Sequence, residues 1–327
     1  MSYRPNRWCL PVGGALLGLL LLVGCKRQAE PLPGAASEPA AAINQLAQHL
    51  RANDLEAYAR AAVPPAQYQQ LEQAWANGDS RWPLTDLPLD DKLPSLLATL
   101  AERDAEAKLM RAFRAQFAGQ SASLRQAAHS LGLFGMQYLS TQGDYTDQER
   151  AHYVQLVKAM SDWATAAPLA DAKLAKAALP VLTSAARATG LHSDDDFQRA
   201  GMTASLQRLG PMQAALKQVW ASYGLSWDQA LETLRTGLVE QRGDDATVRV
   251  QYTLAGSAVD IEVALRRIDG HWYPRQMLQD VDAVLAAAAS AQAAREPVAA
   301  PSLPDTENTE PAAAKTPAGD LKQPAKP

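Results

Sequence analysis

The sequence predicts an α+β protein: mostly a helical bundle, followed by a small antiparallel sheet meander and a closing helix. Three observations carry that reading. About a fifth of the 327 residues are alanine, a strong helix former. Apolar residues recur at helical spacing between capping signals across 42–235. From about 236 the period shortens to two, which is the repeat of a half-buried strand.

Each element can be justified in turn. Ile43, Leu46, Ala47 and Leu50 share one helix face. Asn53, with Glu56 three residues on, fits an N-cap that opens a helix over 55–63, and Pro64-Pro65 ends it. A helix over 66–76 stops at Asn77-Gly78, and the proline-broken 81–91 reads as a packed loop. Asp90-Asp91 fits the start of the next helix, whose pattern runs through Leu96, Leu97 and Leu100 and on to Leu109, Met110, Phe113 and Phe117. Residues 123–141 continue it with Leu124, Leu131, Phe134 and Tyr138.

Thr146-Asp-Gln-Glu149 is a capping box that opens a helix with Tyr153, Leu156, Val157, Met160 and Trp163. A helix after Pro168 closes at Gly190, Ser193 caps another, and Ser226-Trp-Asp-Gln229 opens a last one. Helices in series with short loops pack as an antiparallel bundle.

Val248, Val250, Tyr252 and Leu254 then alternate with polar residues, as do Val259, Ile261, Val263 and Leu265. A shorter strand over 238–242 precedes them. Asp269-Gly270 is a hairpin turn before His271-Trp272-Tyr273, and a helix over about 277–289 returns across the sheet. Residues 236–294 are expected to pack with 42–235 as one domain.

The formal net charge is −4, from 31 basic and 35 acidic residues that are well mixed. A nucleic-acid binder would show a basic stripe, so nucleic acid is not an expected partner. Two cysteines cannot build a disulfide framework. Residues 25–41 and 295–327 are rich in proline and alanine, and the latter segment holds seven of the 21 prolines and no aromatic residue. Both read as linkers without a core of their own, the second as a disordered tail.

The amino terminus reads as an address. Arg4 and Arg7 precede an apolar stretch over 9–23, which is signal-length, whereas a spanning helix needs about 20 residues. Leu22-Val23-Gly24-Cys25 resembles the lipobox of bacterial lipoproteins. The resemblance implies a diacylglyceryl group on the Cys25 thiol, cleavage between Gly24 and Cys25 that frees 1–24, and an acyl chain on the new amino terminus. Lys26, where aspartate would favour inner-membrane retention, implies an outer-membrane anchor facing the periplasm. Such chains hold firmly, at about 0.8 kcal/mol per buried methylene. An uncleaved anchor flanked by Lys26 and Arg27 is the alternative.

The layout of 236–274, ending in Arg266-Arg-Ile-Asp-Gly-His-Trp-Tyr273, resembles the cone-shaped nuclear-transport-factor-2-like fold of small periplasmic lipoproteins. Tyr252, Trp272 and Tyr273 are then candidates to line the mouth of a curled sheet and take an apolar ligand; the plainer reading places them in the core.

Chemistry-bearing motifs are sparse. None of the histidines (His49, His129, His152, His192, His271) belongs to an HExxH helix. His192-Ser-Asp-Asp-Asp196 is the best metal candidate, but consecutive side chains diverge and a helix cap explains them. Gly119-Gln-Ser-Ala-Ser123 lacks the second glycine and the preceding strand of a nucleophile elbow. No catalytic residue, metal or further cofactor is therefore assigned. The expectation is a lipid-anchored envelope protein that binds an envelope protein or a small or lipid-like molecule. A periplasmic hydrolase with an unrecognised acid–base pair is the rival.

Overall fold

The computed structural model describes residues 37–86, 90–141 and 146–295. The chain is α+β, with a helical part, a four-stranded antiparallel sheet and a closing helix.

Three helices begin it: α1 (Pro39–Ala52), α2 (Leu55–Ala62) and α3 (Pro65–Ala76). The cap between the first two differs by one residue from the expectation. Asn53 adopts a left-handed φ of 58° and closes α1, while the Asp54 carboxylate accepts from the Ala57 N–H at 2.9 Å and opens α2. Asparagine tolerates that conformation better than aspartate's other neighbours would, so the pair splits the two jobs.

Of the expected 81–91 loop, the described residues 81–86 pack inward, with Trp82 and Leu84 buried and a cis bond at Trp82-Pro83. Asp90-Asp91 form a single 3-10 turn ahead of α4 (Leu93–Ala101) and do not cap it. Then follow α5 (Ala105–Gln116), α6 (Ser121–Thr141), α7 (Asp147–Ala166), α8 (Ala172–Thr189), α9 (Asp194–Ser222) and α10 (Trp227–Glu232). The Thr146 capping box is made on both sides, and Ser193 and Ser226 each accept from the backbone N–H three residues on.

Helices α2, α3 and α9 and the loop between α3 and α4 share a core of Trp75, Trp82, Phe197, Leu206 and Leu209. The Trp75 indole donates to the Phe197 carbonyl at 3.0 Å, so its polar edge is satisfied inside that core. Within α9, Gly201 has φ 74° and ψ 172°, breaking the helix in two. Only glycine takes that geometry without strain. Farther along, a Cβ on Gly210 would lie 2.5 Å from the Asn53 carbonyl, so glycine lets α9 touch the α1–α2 corner.

The strands β1 (Arg235–Arg242), β2 (Asp245–Leu254), β3 (Ser257–Ile268) and β4 (His271–Pro274) form an antiparallel meander in that order. The inner face of β2 carries Ala246, Val248, Val250 and Leu254, all buried, as the alternation requires. Helix α1 joins the two cores: Ala42 packs on Val248, Val250, Leu265 and Trp272, and Leu46 belongs to the helical core. Helix α11 (Arg275–Arg295) follows Pro274 directly and covers β3, β4 and α3.

Because β4 is short, it pairs only with 265–268 and leaves the first half of β3 with an open edge. Helix α7 closes it. The Gln155 amide accepts from the Asp260 N–H at 2.8 Å and donates to the Asp260 carbonyl at 3.0 Å, replacing a strand's two bonds. Substituting Gln155→Ala should cost about 1–2 kcal/mol, near two neutral hydrogen bonds. It should also speed exchange of the Asp260 amide, measured by hydrogen–deuterium exchange; unchanged exchange would show that the edge is covered by other means.

Candidate functional site

Sequence periodicity places apolar residues on α6, and the structure shows which of them find a partner. Helix α6 packs chiefly against α7, as a two-helix arm. Its contact seam is Ala128, Gly132, Gly135 and Leu139, spaced four, three and four residues apart. Glycine is required there: a Cβ on Gly132 would sit 2.0 Å from the Ser161 Oγ and 2.4 Å from its Cβ, and one on Gly135 would sit 3.1 Å from Val157 Cγ1. The Ser161 hydroxyl donates to the Ala128 carbonyl at 3.2 Å, and Arg150 donates to the Leu139 carbonyl.

Next to that seam lies a second one. Leu124, Ala127, Leu131, Phe134 and Tyr138 repeat at three, four, three and four residues, which is heptad spacing. Leu124 is half-buried and the rest are exposed: Leu131 and Phe134 are each 68% exposed and Tyr138 50%. The Phe134 and Tyr138 rings stack with centroids 6.3 Å apart. Over its 21 residues α6 carries one charged side chain, Arg125, and no carboxylate.

A groove of about 910 Å³, open to solvent, runs beside this seam. Leu131, Gly132 and Leu139 of α6 form one wall, and Tyr153, Leu156, Val157 and Met160 of α7 the other. The lining is mostly apolar. On its deeper side α7 is fixed to the body: Met160 and Trp163 pack on Leu225, Leu254 and Val259, and the Trp163 indole donates to the Tyr223 carbonyl at 2.9 Å.

His152 sits on α7 next to Tyr153, half-buried, with rings 5.8 Å apart and its Nδ1 buried without a hydrogen bond. Burial holds its pKa below the usual histidine value. The folded state therefore resists the proton that the unfolded chain takes up near pH 6.5, so stability falls as pH drops below about 6.5. Melting temperatures compared at pH 7.5 and 5.5 should show a smaller loss for His152→Gln than for the native chain. Equal losses would remove His152 as the cause.

The three aromatic candidates for a pocket pack against other parts of the fold. Trp272 is 1% exposed, in the sheet core beneath α1, with the Arg267 guanidinium 5.6 Å from its ring. Tyr273 is buried on the other side of β4 against Leu278 of α11, because neighbouring strand residues point to opposite faces. Tyr252 is half-buried between the two ends of the sheet core, and burial pushes its phenol up to about 12. None of the three lines the α6–α7 groove. Gly24 and Cys25 lie outside the described residues.

The 192–196 cluster is a helix cap. Asp196 accepts from the Ser193 hydroxyl at 2.8 Å and from the His192 N–H at 3.0 Å. Its carboxyl is held down to about 2, first by that hydroxyl, then by the His192 amide and Arg199. Among the described residues no group of three or more His, Cys, Asp or Glu side chains could hold a metal ion. Gly119–Ser123 joins two helices, with no strand before it. One part-buried polar chain runs from Tyr68 through the Thr203 hydroxyl, at 3.0 Å, to Glu72, at 2.6 Å. It ties α3 to α9 and does not border the α6–α7 groove. Among the described residues no helix is long and apolar enough to cross a membrane.

Sequence reasoning singled out the apolar residues of α6 and α7 but assigned them to a bundle interior. The available signal was the pair of adjacent heptad seams on one helix, which demands two neighbours where the described residues supply one. No protein-family model, curated protein or solved structure matches the chain.

Proposed function

We propose that this is a bacterial envelope protein tethered through lipid on Cys25 at the outer membrane, facing the periplasm, and that its work is binding. The groove of the α6–α7 arm takes an apolar partner, either a helix or a lipid-like chain. The observation that carries the reading is the exposed seam of Leu131, Phe134 and Tyr138 beside an apolar groove. Monomeric proteins seldom leave contiguous apolar surface of this kind in water without a use for it. The lipobox-like Leu22–Cys25 supports the tether, and the proline- and alanine-rich stretch from Cys25 to the start of α1 supplies the reach between membrane and fold. That stretch is shorter than the 25–41 expected, because 39–41 belong to α1.

Two measurements test the halves separately. Cells fed an alkyne-bearing palmitate should label the native chain and not Cys25→Ser; an equally labelled variant would remove the tether. A photo-reactive amino acid at position 138 should give adducts in the envelope that the same group at exposed position 173 on α8 does not. Equal yields at both positions would overturn the groove as the binding site.

A further inference from the structure

The occupant of the α6 seam can be named from its own geometry. We infer that it is α6 of a second copy of this chain, lying antiparallel across a two-fold axis between Leu131 and Phe134. This inference rests on the binding reading of the same groove.

Four features lead to it. First, the spacing of the seam is that of a helix packed against a helix, and not that of a wall shaped for a small molecule. Second, the seam is complementary to itself. With the axis between 131 and 134, Leu131 of each copy meets Phe134 of the other, and Ala127 meets Tyr138. The smallest side chain of the seam thus faces one of the two largest, which is how facing layers interdigitate. A symmetric dimer needs this self-match, because one patch must serve both partners.

Third, charge selects the direction. A parallel pair would set the Arg125 guanidiniums side by side. The antiparallel pair separates them by about 22 Å along the helix, at roughly 1.5 Å per residue. It brings each to the carboxyl end of the other α6, where the helix dipole is negative. That end adjoins the start of α7, as the Arg150–Leu139 bond shows, so exposed Asp147 lies close by.

Fourth, the area is of the right order. Aromatic side chains bury about 150–250 Å² each. At their observed exposure, Leu131, Phe134 and Tyr138 leave several hundred Å² uncovered on each copy. Pairing them with their flanking residues approaches the roughly 1,200 Å² at the lower end of specific interfaces.

Sedimentation of the full chain in mild detergent tests this directly. The native protein should sediment as a dimer at about 50 μM. Phe134→Glu should raise the dissociation constant about 100-fold, two symmetric sites each contributing roughly tenfold. Diluted to where both chains are monomeric, its melting temperature should match the native one, since Phe134 is 68% exposed in the single copy. At about 50 μM the native dimer should melt higher by mass action. Register is read by oxidation. Ala127→Cys with Tyr138→Cys should give a covalent dimer, because the two positions meet only between copies; within one helix they are about 16 Å apart. His129→Cys with Ser140→Cys, at the same spacing on the exposed face turned away from the seam, should not. A monomeric native chain, a Phe134→Glu dimer of unchanged affinity, or equal cross-linking of both cysteine pairs would each overturn the inference. A monomer that still gives adducts from position 138 would place another molecule in the groove and leave the binding reading standing.

Discussion

Trp75→Ala should lower the stability of the whole described fold by about 3–5 kcal/mol, the usual cost of emptying a tryptophan site in a core. Trp75 is 1% exposed, stands 6.4 Å from the Phe197 ring and spends its only donor on the Phe197 carbonyl. Removing the indole leaves a cavity between α3 and α9 and an acceptor without its bond. At about 2–4 °C per kcal/mol for a domain of this size, the melting temperature should drop on the order of 10 °C. The informative comparison is Trp272→Ala, which empties the sheet core. Since α1 places Ala42 in one core and Leu46 in the other, both variants should shift one shared transition. Calorimetry would read this. Two separate transitions, each moved by one variant alone, would show that 42–235 and 236–294 fold independently.

Gly132→Ala should open the α6–α7 arm. Alanine is the better helix former by about 1 kcal/mol, so propensity alone predicts a gain. The contact predicts the reverse. The new methyl would overlap the Ser161 Cβ, 2.4 Å away, and a Cβ moves only with its backbone. Overpacking of this kind costs about 1–3 kcal/mol and should outweigh the propensity term. The loss should be local, because α6 touches little besides α7. Amide protection should fall over 121–141 and hold in α3 and α9. Ser161→Gly removes the obstructing atoms, so the double variant should recover protection, a coupling that independent sites would not show. An unchanged exchange pattern in Gly132→Ala would mean that the helices separate slightly at no cost, and that the close approach is not what holds the arm.

Much of the architecture was legible residue by residue. The caps at Thr146, Ser193 and Ser226 stood where expected, because a cap is a bond between a side chain and an amide three residues away. The change of period near 236 located the sheet, and Asp269-Gly270 its last turn. Asn53 was read one residue amiss: Asn and Asp side by side are both good caps, and only the left-handed turn of Asn53 assigned the job to Asp54.

What the amino-acid sequence by itself determined is local: which segments are helix or strand, where most of them start and stop, and the α+β order. These depend on bonds and side-chain spacings within a turn or two of each residue. Which apolar stripe is covered was decided by tertiary structure alone. Trp272 and Tyr273 look as available in sequence as Leu131 and Phe134, yet α1 and α11 bury the first pair and no described residue covers the second. Burial belongs to whichever surface arrives, and for Trp272 that surface is α1, more than 200 residues away along the chain.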